Sequence, residues 1–368
     1  MPPIRVLQVM PAMDAGGMET FVMNVYRTID REKVQFDFLY HYDKPCFFDD
    51  EIRALGGRIF KLTVRQDNNL PRYLRELRAL FAAHPEWRII HGHYSGFGMF
   101  YNPAARARVS PCGAATATIP RMNAISWAAR SFYEQLFNIG LTDRFACSEK
   151  AGQMLFGKHP FTVVPNGIDT ARFAARDPQR RALLRGELGV TDQEILFGHV
   201  GRSPTRRTTR DCSKFLPPCA PACPRTAGAA GRRRPRYVEK MQALAAELGL
   251  GDSVIFAGVR SNIQSFYDAM DAFCCPAFRG SARRAGGGAD RGSALLCGRH
   301  GGPRRGVHRQ GKISAAERHR RVGKHNCGGL LPPRPQAREK AIKAGYDIHT
   351  SAEVLQAFYL RRYAEVTP

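Results

Sequence analysis

Two histidines flank a glycine at His91-Gly92-His93, directly after the strand-like run Trp87–Ile90, apolar but for Arg88. Imidazole changes charge near neutral pH and offers both a hydrogen-bond donor and an acceptor, so a histidine at a strand end is a candidate for acid–base or hydrogen-bonding work. The competing reading is a core or surface histidine whose hydrogen bonds are already satisfied. His93, just beyond the strand, is the better placed of the two. A second candidate is Ala15-Gly16-Gly17, between an apolar strand and a helix. Glycines there let backbone N–H groups and the helix dipole meet a phosphate unobstructed, although a lone Gly-Gly pair is more often a plain turn. Gly198-His-Val-Gly201-Arg202 places a fixed cation after another strand. A cation fixed at a strand end can stabilise negative charge that builds up in a transition state. Asn166, in Pro165-Asn-Gly-Ile-Asp169, completes the set, though alone that run reads as a turn.

These residues need a scaffold that brings strand ends together. Apolar strands and amphipathic helices alternate through the first ninety or so residues: strand Arg5–Met10, helix Met18–Ile29, strand Phe36–Tyr42, helix Asp49–Leu55, strand Arg58–Leu62, helix Leu70–Ala83 and strand Trp87–His91. This is an α/β pattern with a parallel sheet covered on both faces, which binds ligands at the C-terminal ends of its strands. A second series starts near Thr162, with helix Pro178–Leu188, strand Ile195–Val200, helix Val238–Leu248, strand Ser253–Ala257 and helix Ile263–Met270. Glu339–Tyr363 reads as helix throughout.

At 368 residues the chain has room for two domains. Its formal charge of +24 points at first to a polyanion partner. The excess is local: residues 202–236 carry +9 and residues 279–325 carry +11, leaving +4 for the rest. Neither stretch keeps a helical or strand period, and Phe215 is their one aromatic residue. That excludes a base-stacking surface of the usual kind. The ten cysteines lack metal-ligand spacing. No apolar run reaches membrane-spanning length and no signal segment opens the chain, so a cytoplasmic protein is expected.

Phe161-Thr-Val-Val-Pro-Asn-Gly-Ile-Asp169, with Cys147-Ser148 and Leu155-Phe156-Gly157 before it and Phe173 after it, resembles the interdomain segment of family 4 glycosyltransferases. Gly16-Gly17-Met18-Glu19, His91-Gly-His93 and Gly198–Arg202 extend that resemblance over residues 4–202 and 237–278. It implies two Rossmann-like domains facing across a cleft, the GT-B arrangement. The acceptor-side domain would be residues 1–165, the donor domain residues 166–345, and residues 346–368 a helix packing back on the first domain. It also implies a retaining transfer from a nucleotide-sugar donor to a polysaccharide or lipid-linked acceptor, with no cofactor or obligatory metal and no nucleic-acid partner. A lipid-carried acceptor would add peripheral contact with the inner membrane face. His93 and His91 would be catalytic; Gly16, Gly17, Asn166, Gly201 and Arg202 would bind donor phosphate. The resemblance further calls for a lysine shortly after Arg202 and two glutamates eight positions apart, and this sequence has neither.

The genetic code accounts for that gap. Read one base later, the codons for Phe278–Gly292 permit FEGLPVVLVEAQTAG, which holds both glutamates and turns an arginine-rich run into a loop and amphipathic helix. Shifted readings also permit HKKNHERLLEV over Pro204–Lys214, LLAGDGP over Ala229–Pro235 and a His-Ser-His-Asn strand end near Gly113–Ile119. The two basic stretches therefore read as out-of-frame segments of a donor domain, and the chain as written is expected to transfer little or no sugar. The alternatives are genuine basic loops and a non-enzymatic basic protein that binds nucleic acid or other polyanions.

Overall fold

A computed structural model describes residues 2–62, 69–93, 95–106, 110–115, 138–173, 177–194, 196–201, 225–230, 235–247, 251–258, 260–276, 295–298 and 335–366. They divide into two compact α/β units, Met1–Thr170 with Ala341–Pro368, and Ala171–Lys340.

The first unit holds a sheet of seven strands: β1 (Ile4–Met10), β2 (Val34–Tyr40), β3 (Ile59–Lys61), β4 (Trp87–Gly92), β5 (Ser110–Ala115), β6 (Asp143–Ala146) and β7 (Thr162–Val163). All pair in parallel, in the order β3-β2-β1-β4-β5-β6-β7. Strand order reverses between β1 and β4, which opens a crevice at their C-terminal ends. Period-two alternation assigns the faces. Val6, Met10, Phe36, Phe38 and Ile89 pack under α1 (Gly17–Thr28), while Leu7, Val9, Leu39, Trp87 and Ile90 pack under α3 (Leu70–Ala83) and α4 (Ser95–Arg106). Between β2 and β3 lies the short α2 (Asp49–Ala54), and between β6 and β7 lies α5 (Glu149–Phe156). Phe21, Val22, Val25 and Tyr26 form the buried side of α1, as their spacing requires. Asn69 starts α3 by accepting from the Arg72 N–H at 3.0 Å, with Pro71 in its first turn.

Asp37 is a charged exception in this interior. It is fully buried, accepts from Arg5 Nε at 2.8 Å, Arg58 N at 3.0 Å and Trp87 Nε1 at 2.7 Å, and pairs with both guanidinium groups. Burial pushes its carboxyl up, but the hydrogen bonds from Arg5, Arg58 and Trp87 outweigh that and hold it at about 2.

The chain's last segment completes this unit. The sequence suggests one helix over Glu339–Tyr363, but there are two, α9 (Pro335–Lys343) and α10 (Ile348–Val366). The break falls at Gly345, whose φ of +76° is open to glycine at little steric cost. Ile348, Ala352, Leu355, Phe358 and Tyr359 repeat at helical spacing and bury against the α1 face, where Tyr359 meets the Phe36 ring edge-on. The expected strand Phe36–Tyr42 starts and ends two residues earlier, because the β1 register pairs Ile4 with Val34 and Met10 with Tyr40. Helices α4 and α5 and strands β5 and β6 were not legible as separate elements in the sequence.

In the second unit, α6 (Pro178–Glu187), β8 (Leu196–Gly201), β9 (Arg225–Ala230), α7 (Pro235–Glu247), β10 (Val254–Gly258), α8 (Ile263–Ala269), β11 (Ala272–Pro276) and β12 (Leu295–Gly298) follow in turn. The sheet order is β10-β9-β8-β11-β12. Its pairs are parallel except at the edge, where β12 runs antiparallel to β11. Leu184, Val190, Leu196, Phe266, Ala269 and Met270 form its described core. Arg185, 1% exposed, ties α6 to that core through the carbonyls of Ala269 at 3.0 Å and Glu194 at 2.6 Å and the Asp271 carboxylate at 3.1 Å.

Candidate functional site

The chemistry-bearing residues of the first unit gather where its strand order reverses. Gln8 on β1 and His91 on β4 are register partners, so their side chains leave the sheet on the same face. His93 follows β4 and is anchored by its N–H to the Val9 carbonyl at 2.9 Å. The two imidazole rings stack with centroids 4.4 Å apart and planes 27° apart. His93 Nε2 is 2.8 Å from Gln8 Oε1, and His91 Nδ1 is 2.5 Å from the Tyr359 hydroxyl.

Both histidines are more buried than a substrate-facing pair at a strand end would be. Burial pushes the His93 imidazole down to about 3, and burial together with its histidine neighbour takes His91 well below the usual range. Near neutral pH both rings are uncharged. They can orient a hydroxyl by hydrogen bonding, but they are too weakly basic to take its proton. Neither is fully satisfied: His91 Nε2, His93 Nδ1 and Gln8 Nε2 find no hydrogen-bond partner among the described residues.

Gly16 and Gly17 leave the same sheet edge, after β1. Gly16 precedes the first helical residue of α1, and its N–H closes a tight turn onto the Asp14 carbonyl at 2.7 Å. A methyl group at Gly16 would collide with the Glu19 carboxylate, which folds back over this helix end. At Gly17 a methyl group would meet open space. The positive end of α1 thus already has a carboxylate over Gly16 and stays accessible at Gly17. Lys44, after β2, pairs with Asp14 beside this loop.

Asn166 is exposed, and the segment around it is held by backbone contacts. The Ile168 N–H donates to the Tyr346 carbonyl at 2.9 Å, and the Ile348 N–H donates to the Ile168 carbonyl at 3.0 Å. Gly167 lies so close to α10 that a methyl group there would stand 2.8 Å from the Ile348 Cα and 2.9 Å from the Asp347 carbonyl. The turn at Asn166-Gly167 therefore has a structural duty in the first unit. In the second unit, Gly201 ends β8 opposite Ala230, at the C-terminal edge where a parallel sheet receives ligands. Arg202, the shifted stretches at 204–214 and 278–292 and the residues beyond Ala115 in the Gly113–Ile119 run lie outside the described residues.

Two residues joined to this site escaped the sequence reading. Gln8 left a faint signal, being the one polar residue among the alternating core positions Val6, Gln8 and Met10. Tyr359 left none, since a tyrosine on the apolar stripe of a helix looks like core.

Among the described residues no three His, Cys, Asp or Glu side chains are grouped to hold a metal ion, and no helix is long and apolar enough to cross a membrane.

Residues 15–172 match the profile of Glycosyltransferase Family 4. EpsF of Bacillus subtilis (strain 168), which bears a provisional glycosyltransferase name, is 33% identical over 211 residues, covering 54% of this chain and 54% of EpsF. The lipopolysaccharide core biosynthesis mannosyltransferase LpsB of Rhizobium meliloti (strain 1021) is 31% identical over 121 residues, 32% of this chain and 34% of LpsB. The matched stretch thus spans about half of the first relative and a third of the second. Among solved structures, Anabaena HepE in complex with UDP and glucose superposes with a TM-score of 0.58 at 18% identity, covering 73% of each chain. At that identity the likeness establishes the fold, two Rossmann-like α/β units.

Proposed function

We propose that this chain, whose residues 15–172 are those of a family 4 glycosyltransferase, descends from an enzyme that moves a sugar from a nucleotide-sugar donor to a saccharide or lipid-linked acceptor with retention. The observation that carries the reading is the family match over the unit that holds the His91/His93 crevice and the Gly16-Gly17 helix end. LpsB is named for lipopolysaccharide core synthesis, and HepE was captured with UDP and glucose. Both favour a polysaccharide-type product and a nucleoside diphosphate leaving group.

In this reading Gly17 and the amide end of α1 are the first unit's candidate phosphate contacts, and Gly201 and Arg202 are those of the second unit's sequence. The neutral His91/His93 pair orients a hydroxyl through hydrogen bonds. Negative charge on the departing diphosphate is met by Arg202 and backbone N–H groups, and no metal is needed.

As written, the chain lacks the lysine and the glutamate pair, so donor affinity and transfer are expected to be weak. The test compares this chain with one carrying the shifted readings over 204–214, 229–235 and 278–292, by calorimetric titration with UDP and by transfer assay. The restored chain should bind UDP at least tenfold more tightly and release UDP from a UDP-sugar when given an acceptor. Absence of UDP binding by the restored chain would overturn the reading. Binding of random duplex DNA by the original chain, falling steeply with salt, would favour a polyanion-binding protein instead.

A further inference from the structure

His41 follows the last residue of β2 and is fully buried. It grips the two carbonyls at which the neighbouring strand β1 leaves the sheet. Its backbone N–H donates to the Pro11 carbonyl at 3.1 Å, and its Nδ1 lies 3.1 Å from the Met10 carbonyl. A carbonyl can only accept, so Nδ1 carries the ring proton, and Nε2 of the neutral ring accepts from the Tyr73 hydroxyl at 2.9 Å. Tyr73 is itself buried on α3, so the ring is held at both nitrogens. Proline has no N–H, which leaves these carbonyls as the handles by which the start of the loop is held.

The segment after His41 continues the grip. The Phe48 N–H donates to the Met13 carbonyl at 3.1 Å, and Lys44 pairs with the Asp14 carboxylate. Asp49 stiffens that segment in turn, accepting from the Cys46 N–H at 3.0 Å and from the Tyr40 hydroxyl at 3.1 Å. Met10, Pro11, Met13 and Asp14 are thus each held from residues 41–48, and the Gly16 N–H closes on the Asp14 carbonyl. Contacts from outside the loop therefore set the path from the end of β1 to the start of α1.

We propose that His41 is a positioning residue for the Gly16-Gly17 turn: through the Met10 carbonyl it fixes the direction in which β1 delivers the chain to α1. A histidine that merely filled the core would be replaceable by an apolar side chain of similar volume. One that steers the exit needs a donor at the δ position, which asparagine also supplies and leucine does not. That the turn meets a donor phosphate rests on the transferase reading; the tether does not.

The test is a set of 1H–15N correlation spectra of the full-length chain labelled at glycine and histidine, recorded at pH 7. In the parent, His41 should appear as the Nδ1–H tautomer. In H41L the Gly16 and Gly17 amide signals should move, while those of Gly140 and Gly167, elsewhere in the first unit, stay in place and report that the variant is folded. H41N should bring the two moved signals back toward their parent positions. A His41 ring protonated on Nε2, Gly16 and Gly17 signals unmoved in H41L, or signals displaced as far in H41N as in H41L would overturn the proposal. In the chain carrying the shifted readings, H41L should bind UDP about fivefold more weakly than its parent, the share of one hydrogen bond, and H41N should recover most of that loss. Equal affinity in H41L would also overturn it. If that chain binds no UDP at all, the functional reading fails, and the tautomer and glycine signals still decide this one.

Discussion

Thr170 Oγ1 donates to Asp347 Oδ1 across 2.6 Å, joining two buried residues 177 positions apart in the chain. Ser351 Oγ donates to the Pro165 carbonyl at 3.1 Å beside it, and Ile168 forms a parallel bridge with Asp347. The first unit therefore closes on itself only when the start of α10 is seated on the 165–170 segment.

Gly167→Ala tests that seam. The new methyl group would press on backbone at Asp347 and Ile348, which has little room to give, and overpacking of this kind costs roughly 1–3 kcal/mol. The expected result is a lower midpoint for the first unit in urea and faster protease cleavage near residues 341–347. A variant as stable as the parent would show that the seam is looser than described.

Asp37 should make the first unit acid-sensitive. Its folded pKa of about 2 lies below the ordinary 3.8, so its contribution is fully present above pH 4 and is lost as pH falls toward 2. The two values correspond to roughly 2 kcal/mol. Asp37→Asn removes one partner from a buried ionic network and is expected to cost about 3–5 kcal/mol at pH 7. Urea unfolding at pH 7 and pH 3 measures both effects, and an unchanged midpoint in the Asn variant would contradict the network's role.

The histidine pair acts at milder pH. Both rings stay neutral when folded but take up protons in the unfolded chain below pH 6.5. Their stabilising contribution is present above that pH and erodes as pH falls, for His93 down to about 3, by up to about 1.4 kcal/mol per pH unit for each ring. His93→Gln should flatten the stability profile between pH 6 and 4. A profile as steep as the parent's would mean that His93 is charged or exposed in the folded protein.

Arg185 is the corresponding point in the second unit. Arg185→Ala strips the Ala269 and Glu194 carbonyls and the Asp271 carboxylate of a shared donor, at an expected cost of about 3 kcal/mol. Limited trypsin digestion should show residues 177–276 becoming sensitive while the first unit stays resistant. Equal sensitivity of both units would argue against their separate stability.

Sequence pattern gave away those elements whose own residues decide them. Helix α3 is bounded by Asn69 and Pro71 and follows its apolar period from Leu70 to Ala83. The edge of β4 at His91-Gly92-His93 was visible because an apolar run ends there. The burial of the two histidines was not, since it depends on Tyr359 arriving from α10 some 268 positions later. The break at Gly345 was hidden for a similar reason: residues on either side have good helix propensity, and only docking of Asp347 onto Ile168 shows why the chain must turn. Asn166 read as a phosphate ligand because its neighbours form a family signature. The contacts of those neighbours show that the same signature serves the seam.

That the first unit borrows its last helix from the far end of the chain has a consequence for synthesis. A ribosome delivers β1 to β7 long before α10, so until residue 359 emerges the face of Val6, Phe36, Phe38 and Ile89 is covered by α1 alone, and the nascent chain must wait unfinished. It follows that whatever happens to the message in the middle, the register on leaving must equal the register on entering, because a helix read in either other phase would carry no Tyr359 to His91 and no Asp347 to Thr170.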